Sequence, residues 1–280
     1  MDMLERAVPI ALLVFVLSSM VAMGLGLTVA QIIAPLRNGR LLAMSLLANF
    51  VLMPLAAIGL ATALRLREPL GIGLLLLGAT AGSPFLPKLA QIAKGNVASA
   101  VGLMVLLMVI TVGYLPLILP ALLPEVTVNS GEIARSLFLL MLLPLACALA
   151  VNAKFPAAAA RAKPLFDWLS TVGLLLVVSL QVVLHFTSVL SVFGTRAILA
   201  GLLFIALGYG LGWLLGGPAA DTRTVLGLGT AQRNIAAALV VASQNFSNFN
   251  VVVMVVVVAM VSLLVLMPLS RRLARSNASA

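Results

Sequence analysis

Lys88 and Arg233 are cations in stretches otherwise built for a lipid interior. Lys88 lies in Ala79–Ala93 and Arg233 in Val225–Ser243, and most other residues of both stretches are apolar or small. A charge near the bilayer centre costs about 2.5–3.5 kcal/mol on insertion scales, so such residues face an interior cavity and mark a pathway or binding site. The seven acidic residues, Asp2, Glu5, Glu68, Glu125, Glu132, Asp167 and Asp221, lie clear of both stretches. Two cations without a carboxylate nearby in the chain are chemistry for holding an anion. Arginine keeps its charge when buried and offers a bidentate fork to a carboxylate, whereas a buried lysine can lose its proton. Arg233 therefore reads as a permanent clamp, and Lys88 as a titrating partner able to couple transport to protons.

The neighbours of these cations are polar and helix-breaking. Around Lys88 runs Gly82-Ser83-Pro84-Phe85-Leu86-Pro87; around Arg233 run Gly227, Gly229, Thr230, Ala231, Gln232 and Asn234. Prolines three apart remove backbone donors and clash with earlier carbonyls, so a continuous helix is not expected. Backbone freed inside a membrane survives only where it is buried in protein or lines a cavity. Paired interruptions in corresponding positions of two halves point to a transporter site at their meeting place. Ser83, Thr230, Gln232 and Asn234, together with Asn49 on an earlier apolar helix, are the candidate polar contacts. Each also has a plainer reading. Arg233 would tether carbonyls freed by the break, Lys88 would snorkel to the surface, and the amides and hydroxyls would satisfy local backbone.

The elements that position these residues follow from composition. The chain is 63% hydrophobic and 9% charged, far from the roughly 25% charged of a soluble domain, so the fold is an all-α polytopic membrane protein. About 20 apolar residues cross the hydrocarbon. The apolar stretches predict nine transmembrane helices over 8–33, 41–64, 70–92, 97–123, 134–152, 165–190, 196–216, 223–243 and 250–269, in a single membrane domain spanning 1–280. The net charge of +10 lies mostly in short loops and is not a nucleic-acid signal. Ten basic residues fall on one side (Arg37, Arg40, Lys94, Lys154, Arg161, Lys163, Arg223, Arg271, Arg272, Arg275) and five on the other (Arg6, Arg65, Arg67, Arg135, Arg196). The positive-inside rule then places the N-terminus outside and the C-terminus in the cytoplasm, as an odd number of spans requires.

Several residues invite plainer expectations. Cys147, alone in an apolar run, reads as a small buried hydrophobe, and His185 as an interfacial residue rather than a proton relay. Gly208, Gly210, Gly212 and Gly216 read as a surface for close helix packing, and the valine run 251–258 as packing or lipid-facing surface. One histidine and one cysteine cannot build a typical zinc site, and no phosphate-binding loop is present, so neither metal nor cofactor is expected.

Four segments carry a resemblance to the bile acid:sodium symporter family. Met23-Gly24-Leu25-Gly26-Leu27-Thr28 resembles its MGLxL segment. Ala48-Asn49-Phe50-Val51-Leu52-Met53-Pro54 resembles its AQF-x-x-MP segment, with Asn49 in place of glutamine. Ala93-Lys94-Gly95-Asn96-Val97 is similar to its ARGNVA turn, and Gln232 to Leu239 to its second crossing helix. The resemblance implies two inverted five-helix repeats in ten-helix members, a mobile core holding two crossing broken helices, and a flanking panel. The chain begins at the family's second helix, like nine-helix members.

The resemblance also implies sodium sites, and here the chain departs. The serine–asparagine pair of sodium-coupled members falls on Leu86 and Pro87, and the glutamate four residues before Gln232 falls on Leu228, with Gly227 beside it. Sodium needs hard oxygen ligands, so the usual sites look dismantled. The two fixed cations then stand where two sodium ions would. The expected function is a secondary transporter moving a small organic anion across the cytoplasmic membrane by alternating access. Proton-coupled or uncoupled exchange on the same fold is the alternative. An intramembrane enzyme would need acidic or paired histidine residues inside the bilayer, and a channel would need a continuous polar lining. The identity of the anion and the oligomeric state are not legible in the chain.

Overall fold

The computed structural model describes residues 2–33, 38–123, 129–184 and 194–277; His185 and Arg37 fall outside them. Every regular element among these residues is helical. In chain order they are α1 (Asp2–Gly26), α2 (Val29–Ile33), α3 (Gly39–Leu47), α4 (Met53–Ala63), α5 (Glu68–Ala79), α6 (Leu86–Ile92), α7 (Val97–Leu122), α8 (Ser130–Leu137), α9 (Leu143–Lys154), α10 (Pro156–Leu184), α11 (Ala197–Leu215), α12 (Ala220–Ala231), α13 (Ile235–Asn245) and α14 (Asn250–Asn277). Two π-helical turns, Ala48–Leu52 and Phe138–Leu142, join α3 to α4 and α8 to α9. Each precedes a proline, Pro54 or Pro144, in the first turn of the next helix. Proline has no N–H to donate, so the carbonyl four residues earlier loses its helical partner.

Eight helical segments among the described residues are long and apolar enough to cross a membrane. The third expected span departs from this pattern. Its first part, α5, has 12 residues and is shorter than a crossing helix; α6 follows only after Thr80–Phe85. The sequence reading that ran Val8 to Ile33 as one helix is also modified, because α1 ends at Gly26 and α2 begins at Val29.

The helices sort into two groups. Three of them, α1, α9 and α10, pack on one another, and much of α10 is exposed: only 11% of its apolar window is buried. The other group centres on the segment Ala220–Asn245, which is 94% buried. Around it lie α5, α6, α7, α11 and α14. The valine run of α14 is buried from Val251 to Val258, so it serves as packing surface. Gly212 in α11 and Gly216 just past its end face the backbone of α12 so closely that a Cβ at either would collide with it; a Cβ at Gly208 would make a tight contact at 3.0 Å, whereas Gly210 has open space. Small residues at such a seam replace the missing hydrophobic drive between helices with van der Waals contact.

Cys147 corrects an expectation. It is exposed, because the inward positions of α9 are taken by Leu145 and Ala148, which pack against Gly24 of α1.

Gly82 is the residue that the first interruption demands. Its φ is +77°, and a Cβ there would strike the backbone of Met104 and Met108 on α7. Gly82→Ala should therefore lower the apparent melting temperature in detergent or abolish folding, since left-handed strain alone costs about 1–3 kcal/mol. Gly113→Ala, which meets open space on the same helix α7, should leave that temperature nearly unchanged. Equal behaviour of the two variants would refute the close approach.

Candidate functional site

The two interruptions lie at the mid-length of their segments and touch. The backbone N–H of Asn234 donates to the carbonyl of Thr80 (3.3 Å), and the Asn234 amide donates to the carbonyl of Gly82 (3.1 Å). Asn234 also caps α13, its Oδ1 accepting from Ala237 N–H. Across the extended piece, the Thr111 hydroxyl both accepts from Ala81 N–H (3.0 Å) and donates to the Ala81 carbonyl (3.2 Å). One threonine thus replaces the two backbone bonds that Ala81 would have made in a helix.

Arg233 lies at the centre, 1% exposed. Its Nε donates to the Leu77 carbonyl (2.8 Å). Nη1 donates to Asn49 Oδ1 (2.6 Å) and the Thr230 carbonyl (3.1 Å). Nη2 donates to the Gly78 carbonyl (2.8 Å) and the Asn49 carbonyl (3.4 Å). A guanidinium has five N–H groups, so each has a protein oxygen and none is left for a further acceptor in this conformation.

These oxygens are available for reasons of local structure. Leu77 and Gly78 lie in the last turn of α5 and Thr230 in the last turn of α12, where carbonyls lack the usual helical donor four residues on; the Leu77 carbonyl also accepts from the Thr80 N–H and hydroxyl, each at 3.2 Å. The Asn49 carbonyl is freed by the π turn, because Met53 N–H reaches back to Ala48 instead. The next carbonyl, Phe50, is orphaned by Pro54 and accepts from the Tyr114 hydroxyl (2.7 Å). Two helix C-termini, each equivalent to roughly half a negative charge, thus converge on one guanidinium. This explains how a cation sits in the interior with no carboxylate among its partners.

The remaining candidates fall into place around this node. The Asn49 amide donates to the Ser45 carbonyl (3.0 Å) and the Thr230 hydroxyl (3.3 Å). Ser83 is buried and accepts from Phe85 N–H (3.3 Å). Gln232 is 2% exposed, and its side-chain oxygen has no partner among the described residues. Lys88 is different. It sits exposed on α6 with its ammonium 3.4 Å from Gln91 Oε1, and no described hydrogen bond joins it to the Arg233 cluster. The structure therefore brings Asn49, Thr230, Arg233 and Asn234 into one connected cluster, sets Gln232 and Ser83 beside it and turns Lys88 outward.

Apolar groups fill the positions where the resemblance places sodium ligands. Leu86 and Leu228 are fully buried, and Leu86 lies against Gly229 beside Leu103. A separate cavity of about 430 Å³ opens between the α1 and α10 group and the α13–α14 hairpin. Val8, Leu12, Leu184, Ser243, Gln244 and Val252 are among its lining residues, and none of the crossing residues is.

Thr111 and Tyr114 were not singled out from sequence. A signal existed: two hydroxyl side chains three apart, on one face of the apolar middle of α7. Tyr114→Phe strands the Phe50 carbonyl and should cost about 1–3 kcal/mol, read as a lowered unfolding midpoint. Asn49→Leu removes the side-chain oxygen to which Arg233 Nη1 donates, leaving a donor of a buried cation without that acceptor, and should cost more; a smaller loss than for Tyr114→Phe would contradict the geometry.

Comparison with known proteins agrees with this architecture. Residues 11–192 match the sodium bile acid symporter family. Over 174 residues, 61% of the chain, it is 28% identical to YocS of Bacillus subtilis (strain 168), described as an uncharacterized sodium-dependent transporter. That match spans 52% of the relative's length, so the chain spans about half of the curated relative it matches. Members of this family are membrane transporters rather than enzymes. With two interrupted helices crossing inside an all-helical, multi-pass fold, and the family match covering most of the chain, the protein belongs to the sodium bile acid symporter family.

Proposed function

We propose that the protein is a secondary transporter of a small organic anion, a carboxylate, working by alternating access across the cytoplasmic membrane. The observation that carries this reading is the crossing of two broken helices around a buried cation. No carboxylate is among that cation's partners. In this reading the interrupted third segment counts as a crossing, making nine. The Lys/Arg bias sets the N-terminus outside, and the two halves form an inverted repeat. The α1, α9 and α10 group acts as the panel against which the rest rocks. The cavity of about 430 Å³ between them falls within the size range of small-molecule sites, roughly 300–1,000 Å³.

Roles divide among the candidate residues. Arg233 supplies a fixed positive potential that favours an anion near the crossing. Gln232, whose buried side-chain oxygen has no partner among the described residues, has hydrogen-bonding capacity to spare for substrate. Asn234, Asn49, Thr230 and Ser83 hold the unwound backbone in the shape substrate meets. Lys88, on the exposed side of α6, attracts the anion on its way in or out. The Bacillus relative is described as sodium-dependent, whereas the apolar Leu86 and Leu228 leave little for sodium to bind at the positions the resemblance assigns.

Counterflow in proteoliposomes with carboxylates of graded size tests the proposal. At least one should exchange, and Gln232→Leu should cut its exchange by about tenfold, the loss of one hydrogen bond of roughly 1.4 kcal/mol, with the melting temperature kept. If no carboxylate exchanges in wild-type vesicles, the anion-transporter reading falls.

A further inference from the structure

Five oxygens from three elements point at one place: the carbonyls of Leu77 and Gly78, the carbonyl of Thr230, and the carbonyl and side-chain oxygen of Asn49. All five are uncharged; helix ends and a π turn orient the four backbone carbonyls, and the Asn49 amide is also held by its bonds to the Ser45 carbonyl and the Thr230 hydroxyl. Backbone and amide carbonyl oxygens are the ligands that replace the water shell of a small hard cation. The convergence of two helix C-termini adds roughly one negative charge in total. In electrostatic terms this is a monovalent-cation site, and it is filled by a side chain.

We infer that Arg233 is a resident cation: its guanidinium occupies an oxygen cage that would otherwise hold a free monovalent cation, so this site needs no sodium. The assignment of a coupling role rests on the transporter reading above; the cage itself does not. Because the charge is covalently held, no ion is released from this position during a cycle. The five-fold saturation also separates this role from that of a substrate clamp, which would need a donor in reserve. The adjoining ground is closed as well, since Leu86 packs on Gly229 and supplies no oxygen. Lysine would keep the charge but reach fewer acceptors, having three donors against five.

The test is thermal unfolding of purified wild type, Arg233→Ala and Arg233→Lys in sodium, guanidinium or choline chloride at matched, non-denaturing concentrations. Wild type should show no saturable stabilisation by sodium over choline. Arg233→Ala should melt lower by about 5–10 °C, the effect of several stranded carbonyls. Sodium or guanidinium, but not choline, should saturably restore much of that loss. Arg233→Lys should stay unresponsive to sodium. Saturable sodium stabilisation of wild type would overturn the inference, as would an alanine variant indifferent to both cations. If Arg233→Ala is unrecoverable in choline yet recoverable in sodium or guanidinium, the cage is supported. If it is unrecoverable in all three, the wild-type and lysine responses decide. No substrate enters this measurement, so a failure to find a transported carboxylate and a failure of the cage are separate results.

Discussion

A buried guanidinium bound by five neutral oxygens is the constraint around which the core is arranged. Arg233 can lie 1% exposed only because α5, α12 and the π turn before α4 each deliver carbonyls that lack the usual helical donor four residues on. The dependence runs both ways. Without the cation, the ends of two helices and a π turn would present unpaired acceptors to one another inside the protein, and groups of that kind cost about 1–3 kcal/mol each. The unwound segments are therefore cross-braced, and the brace is charged.

The same logic extends outward through proline and threonine. Pro54 removes a donor, and Tyr114 supplies one to the Phe50 carbonyl. The extended Ala81 loses its helical partners, and Thr111 replaces both. Asn234 closes the crossing by capping α13 and reaching Gly82. Within this well-satisfied region the Gln232 side-chain oxygen has no partner among the described residues. That oxygen stands out because its surroundings are so completely paired.

Much of the architecture was legible in the chain. Apolar stretches of membrane-spanning length, Pro84 and Pro87, and the glycine and polar residues around Arg233 located both interruptions. Gly208, Gly212 and Gly216 announced a close helix seam. Asn49 entered through its resemblance to a family segment and proved to bond Arg233 directly. Lys88 was less legible: periodicity does not say which side of a seven-residue helix faces a neighbour, and it faces away from the Arg233 cluster. Cys147 turned outward for the same reason, its burial being set by which neighbours α9 meets.

By itself, the sequence determined where helices stop, because proline, glycine and asparagine act on their own backbone within a few residues. It also determined that a permanent positive charge would lie inside the membrane protein, because an arginine in an apolar segment keeps its proton. Only the tertiary structure decided what that charge does. Whether a guanidinium has a free donor depends on which oxygens arrive around it, and four of the five come from Asn49, Leu77 and Gly78, more than 150 positions away in the chain. Backbone oxygens leave no trace in side-chain patterns, so the cage that holds Arg233 exists only once the helices have crossed.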